Sequence, residues 1–122
     1  MARIRIYFDG GCRPNPGRME IAVVARGVVT IDRDLGEGSS MDAEWHGLLR
    51  AVTVMRSLGL GEAVLLGDSA TVVNQAGAAL AGRARPGHAT AFVAAAAGLR
   101  LHVRHVKRTQ NLAGIALARL HR

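Results

Sequence analysis

The sequence is poor in cysteine and in aromatic side chains. Its 122 residues include one cysteine, Cys12, so no disulfide can form within the chain, and a reducing cytoplasm is the expected location. The longest apolar stretch, residues 91–99, is rich in alanine and far too short to span a bilayer. No signal peptide is visible, because the first residues alternate like a strand. The few aromatic residues argue against a stacking platform for single-stranded nucleic acid; they are Tyr7, Phe8, Trp45 and Phe92.

Acidic residues are missing from the C-terminal part of the chain. All nine lie between Asp9 and Asp68, whereas the basic residues divide equally, eight up to position 68 and eight after it. The first 68 residues therefore carry a charge of about −1 and the last 54 about +8. This asymmetry favours a polyanionic partner such as nucleic acid, gripped through its phosphates. The alternative is an arginine bias on solvated surfaces, since fifteen of the sixteen basic residues are arginine.

The hydrophobic pattern predicts one α/β domain over residues 1–122. Apolar runs predict five strands, and helical periodicity with capping residues predicts four helices, in the order β-β-β-α-β-α-α-β-α. This order is typical of a mixed sheet with helices on its faces. A turn-rich loop is expected over residues 10–17, because Gly and Pro are concentrated there. The predicted strands are 3–9, 19–25, 28–34, 63–67 and 100–106, and the predicted helices are 43–58, 70–79, 88–97 and 111–120.

Three acidic residues stand where apolar elements present them rather than on a solvated face. Asp9 closes the first strand, Asp68 closes the fourth, and Glu44 heads an apolar helical stripe. If those two strands pair in parallel, their carboxyl ends lie about 4.8 Å apart and Asp9 and Asp68 are neighbours. Converging carboxylates repel one another and have raised pKa values unless a divalent cation lies between them. The pattern therefore predicts a metal site. The alternatives are turn acids at the two strand ends and a dipole-stabilised helix acid at Glu44.

Four short segments also form a recognisable series along the chain. They begin with an Asp-Gly-Gly loop that ends in Asn-Pro-Gly, continue with Ala-Glu in a helix and Asp-Ser before a helix, and end with Arg-Thr-Gln-Asn-Leu-Ala. In this order they resemble the signature segments of the ribonuclease H type 1 family, over nearly the whole chain. The segments are Asp9–Gly17, Ala43–Ala51, Asp68–Gln75 and Val106–Ala113.

The resemblance implies a ribonuclease H-like fold, with a five-stranded mixed sheet of order 3-2-1-4-5 flanked by helices. It implies a Mg²⁺-dependent endonuclease that hydrolyses the RNA strand of RNA–DNA hybrids by a two-metal mechanism. Asp9, Glu44 and Asp68 would be the catalytic residues and the metal ligands, with Asp9 bridging the two ions. Mn²⁺ is an alternative ion, and double-stranded RNA is an alternative substrate.

By the same resemblance, several residues beside the acids would contact nucleic acid. The glycines would let the ribose approach the backbone closely, and the basic residues would contact phosphates. Simpler roles stay open for five of them: Asn15 as a turn former, Ser69 as a helix N-cap, Cys12 as a small packed residue, and Lys107 and Arg108 as solvated surface residues. The residues expected to bind nucleic acid are Gly10, Gly11, Cys12, Asn15, Ser69, Lys107 and Arg108.

The chain departs from the family at the fourth acid. That acid follows the Ala of the last segment, where this sequence has Gly114, and no acid occurs after Asp68. One of the two cations would then be weakly held, unless the last helix begins late and water or substrate phosphate supplies the missing ligand. A second hypothesis is therefore a weakly active or inactive ribonuclease H-like domain that binds nucleic acid. A third is another nuclease of the same fold, such as a junction resolvase.

Overall fold

Strands and helices alternate in a computed structural model that describes residues 3–121. The strands are β1 Arg5–Cys12, β2 Gly17–Ala25, β3 Val28–Asp32, β4 Glu37–Gly38, β5 Glu62–Gly67 and β6 Arg100–His105. The helices are α1 Ser40–Ser57, α2 Ala70–Leu80, α3 His88–Ala95 and α4 Leu112–Arg119, with a 3₁₀ turn at Arg108–Gln110 before α4. Within the described part of the chain, no helix is both long and apolar enough to cross a membrane.

The sheet has the strand order β3-β2-β1-β5-β6, with β4 paired to β2 outside this path. Strands β1, β5 and β6 are mutually parallel, whereas β2 runs antiparallel to both β1 and β3. Apart from the two-residue β4, this is the predicted five-strand order. The parallel pairing of β1 with β5 is also confirmed. Their pairing ends at Tyr7 and Leu66, so positions 9 and 68, two residues further along each chain segment, lie at the edge where open α/β sheets place their ligands.

Strand β1 is longer than the sequence pattern indicates. The prediction of a loop over residues 10–17 is wrong for Gly10, Gly11 and Cys12, which continue β1 and pair with residues 19–21 of β2. Pairing with a neighbouring strand here overrides the poor strand preference of glycine. At Gly10 the reason is space, because a Cβ would overlap the backbone carbonyl of Ala43 in α1. Glycine serves close packing of a helix on the strand at this position, not a turn.

Helix α1 begins three residues before its predicted start, because its first turn is capped on both sides. The Ser39 hydroxyl accepts a hydrogen bond from the Asp42 backbone N–H at 3.1 Å. The Asp42 carboxylate accepts one in return from the Ser39 backbone N–H at 2.9 Å. Such a reciprocal capping box satisfies two of the donors that a helix start leaves free. The other predicted helices and strands agree with the structure to within two residues at each end.

Helices α1, α2 and α3 cover one face of the sheet, and α4 covers part of the other. The larger core lies under the first three helices, and its biggest side chains have no exposed surface; they include Ile6, Phe8, Leu48, Met55 and Phe92. The smaller core joins α4 to β2 and consists of Ala22, Val24, Ala113 and Leu117. The larger core packs on one face of β1 and the smaller core on the other, and β1 carries Asp9, the first of the predicted acids.

Candidate active site

The three acids predicted to bind metal lie together at the carboxyl edge of β1 and β5. Asp9 is part of β1, Asp68 follows β5, and Glu44 begins the second turn of α1. One carboxylate oxygen of each residue lies within 4.8 Å of those of the other two, and all three residues are partly exposed. The structure thus brings together the side chains that the sequence places at the ends of two parallel strands and on a helix. Their catalytic role stays a prediction.

Close contact between α1 and β1 sets the position of Glu44. Gly10 leaves room for the carbonyl of Ala43, and a Cβ added to Gly47 would lie 2.7 Å from the carbonyl oxygen of Asp9. Real Cβ atoms do not approach this closely, so the helix and the strand touch backbone to backbone on both sides of Glu44. The carboxylate of Glu44 is consequently carried onto that of Asp9.

The carboxyl groups of Glu44 and Asp9 both have raised pKa values. Burial is the main cause at Glu44, and the hydrogen bond and negative charge of the adjacent Asp9 add to the increase in its pKa. Burial is also the largest influence on the pKa of Asp9, where the charge of Asp68 acts in the same direction and the Arg108 guanidinium opposes it. Raised values mean that the three acids do not all ionise easily in the absence of a cation.

One carboxylate oxygen in the cluster lacks a partner. Glu44 Oε2 is buried and forms no hydrogen bond with any atom of residues 3–121. A buried polar atom left in this state costs about 1–3 kcal/mol. A divalent cation would give the oxygen a partner and would neutralise the neighbouring carboxylates, and Mg²⁺ prefers oxygen ligands of this kind. The donor set therefore fits a hard divalent cation.

Asn111 is a residue of the site that the sequence did not single out. It is fully buried at the start of α4. Its side-chain amide donates hydrogen bonds to the carbonyl oxygen of Phe8 and to Oδ2 of Asp68, both at 3.0 Å. Its Oδ1 accepts a hydrogen bond from the backbone N–H of Ala113 at 3.1 Å. Asn111 therefore caps the helix and fixes the orientation of Asp68. The sequence signal for Asn111 is its place in the last of the four family-like segments, but an N-cap role already explains an Asn before a helix, so its bond to Asp68 was not predicted.

Gly114 lies in the first turn of α4 and faces the acids. A Cβ at this position would lie 3.3 Å from Oδ2 of Asp9 and 3.5 Å from Oδ2 of Asp68. The alternative in which the last helix begins late is wrong, because α4 begins at Leu112. An acid at position 114 would therefore reach the cluster, and the chain has glycine there.

Several solved structures have the same arrangement of strands and helices. The chain matches ribonuclease H1 from the halophilic archaeon Halobacterium salinarum with a TM-score of 0.78 and 23% identity, over 95% of this chain and 94% of that one. It matches the N-terminal RNase H domain of Rv2228c from Mycobacterium tuberculosis with a TM-score of 0.76 and 25% identity, over all of both chains. It matches LC11-RNase H1, isolated from compost, in a complex with an RNA/DNA hybrid, with a TM-score of 0.73 and 25% identity over 90% of this chain and 89% of that one.

The chain has the ribonuclease H type 1 fold. The resemblance that four short segments indicated is thereby confirmed at the level of structure. No protein-family model matches the chain, and no curated protein matches it. The likeness therefore lies in the arrangement of strands and helices.

Four of the residues predicted to bind nucleic acid line one cavity of the ribonuclease H fold. This cavity, called here the catalytic cavity, has a volume of about 450 Å³ and contains the three acids. Cys12 is buried, and its Sγ lies 3.5 Å from the carbonyl oxygen of Gly38, so its side chain packs inward as the simpler alternative expected. The other lining residues from the predicted set are Gly10, Gly11 and Arg108.

The other three predicted residues lie beside this cavity rather than in its wall. Oδ1 of Asn15 accepts a hydrogen bond from the backbone N–H of Ser40 at 3.1 Å and ties the loop to the start of α1. Ser69 caps α2 by accepting a hydrogen bond from the backbone N–H of Val72 at 3.3 Å. Lys107 is exposed beyond the end of β6. Asn15 and Ser69 thus have structural roles, and contacts of all three with nucleic acid stay predictions.

Proposed function

We propose that the chain is a divalent-metal-dependent endonuclease of the ribonuclease H type that hydrolyses the RNA strand of RNA–DNA hybrids. The observation that carries this proposal is the convergence of Asp9, Glu44 and Asp68 at the carboxyl edge of two parallel strands, with an unpaired buried oxygen among them. The likeness to ribonuclease H1 structures supports nucleic-acid hydrolysis of this type, and one of those neighbours holds an RNA/DNA hybrid.

The residues of the cluster have separate tasks in the proposed reaction. Asp9, Glu44 and Asp68 would hold Mg²⁺, or Mn²⁺ as the alternative, through one oxygen each. Two such ions, when bound, supply an activated water and stabilise the leaving oxygen of a phosphodiester. Asn111 would keep the Asp68 oxygen pointed at the cluster through its 3.0 Å hydrogen bond. The Arg108 guanidinium lines the same cavity and would attract the phosphate group.

The surroundings of the acids suit a polynucleotide backbone. Glycine at position 11 leaves this part of the catalytic cavity without a side chain, because nothing lies within 4 Å of a Cβ built there. A ribose–phosphate chain can therefore approach the backbone of β1 closely. The excess of basic residues in the C-terminal part adds sequence-independent attraction for a polyanion.

Cleavage of a labelled RNA–DNA hybrid in Mg²⁺ tests the proposal. Asp9→Asn keeps the shape of the side chain and removes its charge, so the rate should fall by at least about 100-fold. The matched control is Asp34→Asn at an exposed residue beyond β3, which should leave the rate unchanged. Equal cleavage by Asp9→Asn and the unsubstituted protein would overturn the assignment. Double-stranded RNA and branched DNA in the same assay distinguish hybrid cleavage from the two alternative substrate classes.

A second candidate function is nucleic-acid binding with little turnover. Gly114 is the observation that favours it, because this position points at Asp9 and Asp68 and brings no ligand. The cation on that side of the cluster would be held by fewer carboxylates. Binding through the basic surfaces does not need that cation and would persist.

The Gly114→Asp variant distinguishes the two functions. In a binding domain that lacks one ligand, the added carboxylate should raise the Mg²⁺- or Mn²⁺-dependent rate by at least about 10-fold. Gly114→Asn is the matched control, because it adds the same bulk without charge. Both variants replace a glycine, which destabilises a helix by about 1 kcal/mol relative to alanine. A natural chain that cleaves as fast as Gly114→Asp would support the nuclease and reject the binding domain.

A further inference from the structure

We propose that three arginines beside the catalytic cavity form a second phosphate-binding site for the same nucleic-acid duplex. The inference rests on the proposed function, since the duplex is its substrate. Arg13, Arg18 and Arg33 surround a cavity of about 440 Å³, called here the arginine pocket, together with Glu20 and His121. No Phe, Tyr or Trp side chain lines this pocket. Guanidinium groups match the oxygens of a phosphate in pairs, so the ligand is the sugar–phosphate backbone rather than a base.

Strand pairing gathers the three arginines on one side of the sheet. Alternation along β2 puts Arg18 and Glu20 on the same face. Arg33 directly follows Asp32, which pairs with Ile21 of β2, and this places Arg33 beside Glu20. Arg13 is the first residue after β1 and lies beyond the end of its pairing with β2. The pocket is therefore a product of the sheet register: Arg18 lies on a strand, and Arg13 and Arg33 each directly follow one.

Positive charge in the arginine pocket exceeds negative charge. The side chain of Glu20 is only 10% exposed, and its Oε2 accepts a hydrogen bond from Nε of Arg33 at 3.2 Å. Its other oxygen contacts the His121 ring, so this carboxylate is fully engaged. Arg13 and Arg18 form no ion pair within residues 3–121. Glu37 is the cross-strand partner of Arg18 but forms no ion pair with it, so the guanidinium groups of Arg13 and Arg18 can bind an anionic partner.

The arginine pocket is continuous with the catalytic cavity. Arg13 and Glu20 line both. Gly11, which pairs with Glu20, leaves open space between them. Arg18 lies four residues along β2 from the residue paired with Asp9, which is about 13 Å at ~3.3 Å per residue. For a duplex whose axis runs along β2, a rise of ~3.4 Å per nucleotide makes that distance about four nucleotides. The pocket would therefore bind phosphates roughly four nucleotides from the bond that is cleaved.

Binding of a labelled RNA–DNA hybrid in EDTA over a series of salt concentrations tests the inference without cleavage. The Arg18→Ala/Arg33→Ala pair should weaken binding about 10-fold at low salt and reduce the slope of log K against log salt by about 2. The matched control pair is Arg3→Ala/Arg100→Ala, which removes two arginines beside Glu62 at the amino ends of the parallel strands. The control pair should leave both the affinity and the slope unchanged.

The single variant Arg18→Ala tests the inference if the Arg18→Ala/Arg33→Ala protein does not fold. Arg33 holds Glu20, whereas Arg18 is exposed, so Arg18→Ala alone should fold and reduce the slope by about 1. Equal slopes for the pocket variants and the control pair would overturn the inference even where the unsubstituted protein cleaves hybrid. A reduced slope in a protein that does not cleave would support the pocket and reject the nuclease. A chain that binds no duplex would overturn both.

Discussion

The two helices that border the acid cluster differ in how firmly the chain fixes them. Helix α1 has 18 residues, a capping box and seven buried residues, and it supplies Glu44. Helix α4 has 8 residues and two buried ones, and its first turn supplies Gly114, which has no side chain. The half of the site on α1 is therefore set by core packing, and the half on α4 depends mainly on the amide of one buried Asn.

Substitutions in the two halves of the site should therefore change different properties of the protein, stability on the α1 side and metal binding on the α4 side. A change at the α1 contact disturbs the main core and should reduce stability before it changes the chemistry. A change at the start of α4 disturbs the orientation of one carboxylate and should affect metal binding in a protein that still folds. The variants below test this division, in order of decreasing effect on stability.

Gly10→Ala should have the largest effect. The added Cβ would overlap the carbonyl of Ala43, and α1 cannot move away without opening the core, so the free energy of unfolding should fall by at least about 2 kcal/mol. Urea denaturation measures the change. Gly11→Ala is the matched control, since its Cβ would meet nothing within 4 Å, and its effect should stay within about 0.5 kcal/mol. Equal losses in the two variants would contradict the close-packing account.

Asn111→Ala should have the next largest effect, and it should also reduce cleavage. Loss of the cap and of two buried hydrogen bonds should lower the free energy of unfolding by about 2 kcal/mol. The freed Asp68 carboxylate should weaken Mg²⁺-dependent cleavage by about 10- to 100-fold. Asn74→Ala, at an exposed residue of α2, is the control for both measurements. Unchanged cleavage by a folded Asn111→Ala protein would show that Asn111 has only a capping role.

The sequence alone predicts the acid cluster, because that prediction needs only parallel pairing of the strands that carry Asp9 and precede Asp68, with the helix that carries Glu44 packed beside them. It could not predict the role of Asn111. The side-chain amide of Asn111 bonds to Phe8, 103 positions away, and to Asp68, 43 positions away, so its role exists only after folding.

The extension of β1 through residues 10–12 was also beyond the sequence. The local composition is typical of a turn, and what decides the conformation is the antiparallel pairing with β2 and the contact with α1. The arginine pocket depends on register in the same way, since its three members come from a loop, a strand and a strand end.

Glu44→Gln should stabilise the metal-free protein in a way that depends on pH. The pKa of Glu44 is higher in the folded protein than its ordinary value of 4.5. The free energy that this difference adds to folding is fully present below pH 4.5, and it is lost as pH rises toward the pKa of the folded protein. In EDTA at about pH 8 the variant should therefore be more stable than the unsubstituted protein by about 1 kcal/mol, with little difference at about pH 4. Glu37→Gln, at an exposed residue, is the control. A gain in stability that does not change with pH would contradict the electrostatic cause.

Asp42→Asn should have the smallest effect, with the opposite dependence on pH. Hydrogen bonds from the Ser39 backbone and from His88 lower the pKa of Asp42 to about 2. The stability that the lowered pKa of Asp42 adds is fully present above its ordinary pKa of 3.8, and it is lost as pH falls toward 2. Because the carboxylate is 42% exposed, we expect a loss of only about 0.5 kcal/mol near neutral pH, which should vanish at low pH. Thermal denaturation over a pH series, with Asp34→Asn as control, measures it.

Calorimetric titration with Mg²⁺ measures whether Asp9, Glu44 and Asp68 together bind a divalent cation. The unsubstituted protein should bind Mg²⁺ and release protons as it does so, because binding ionises carboxyl groups whose pKa values are raised. Asp9→Asn should bind at least about 10-fold more weakly, and Asp34→Asn should bind like the unsubstituted protein. Equal Mg²⁺ binding by all three proteins would contradict the account.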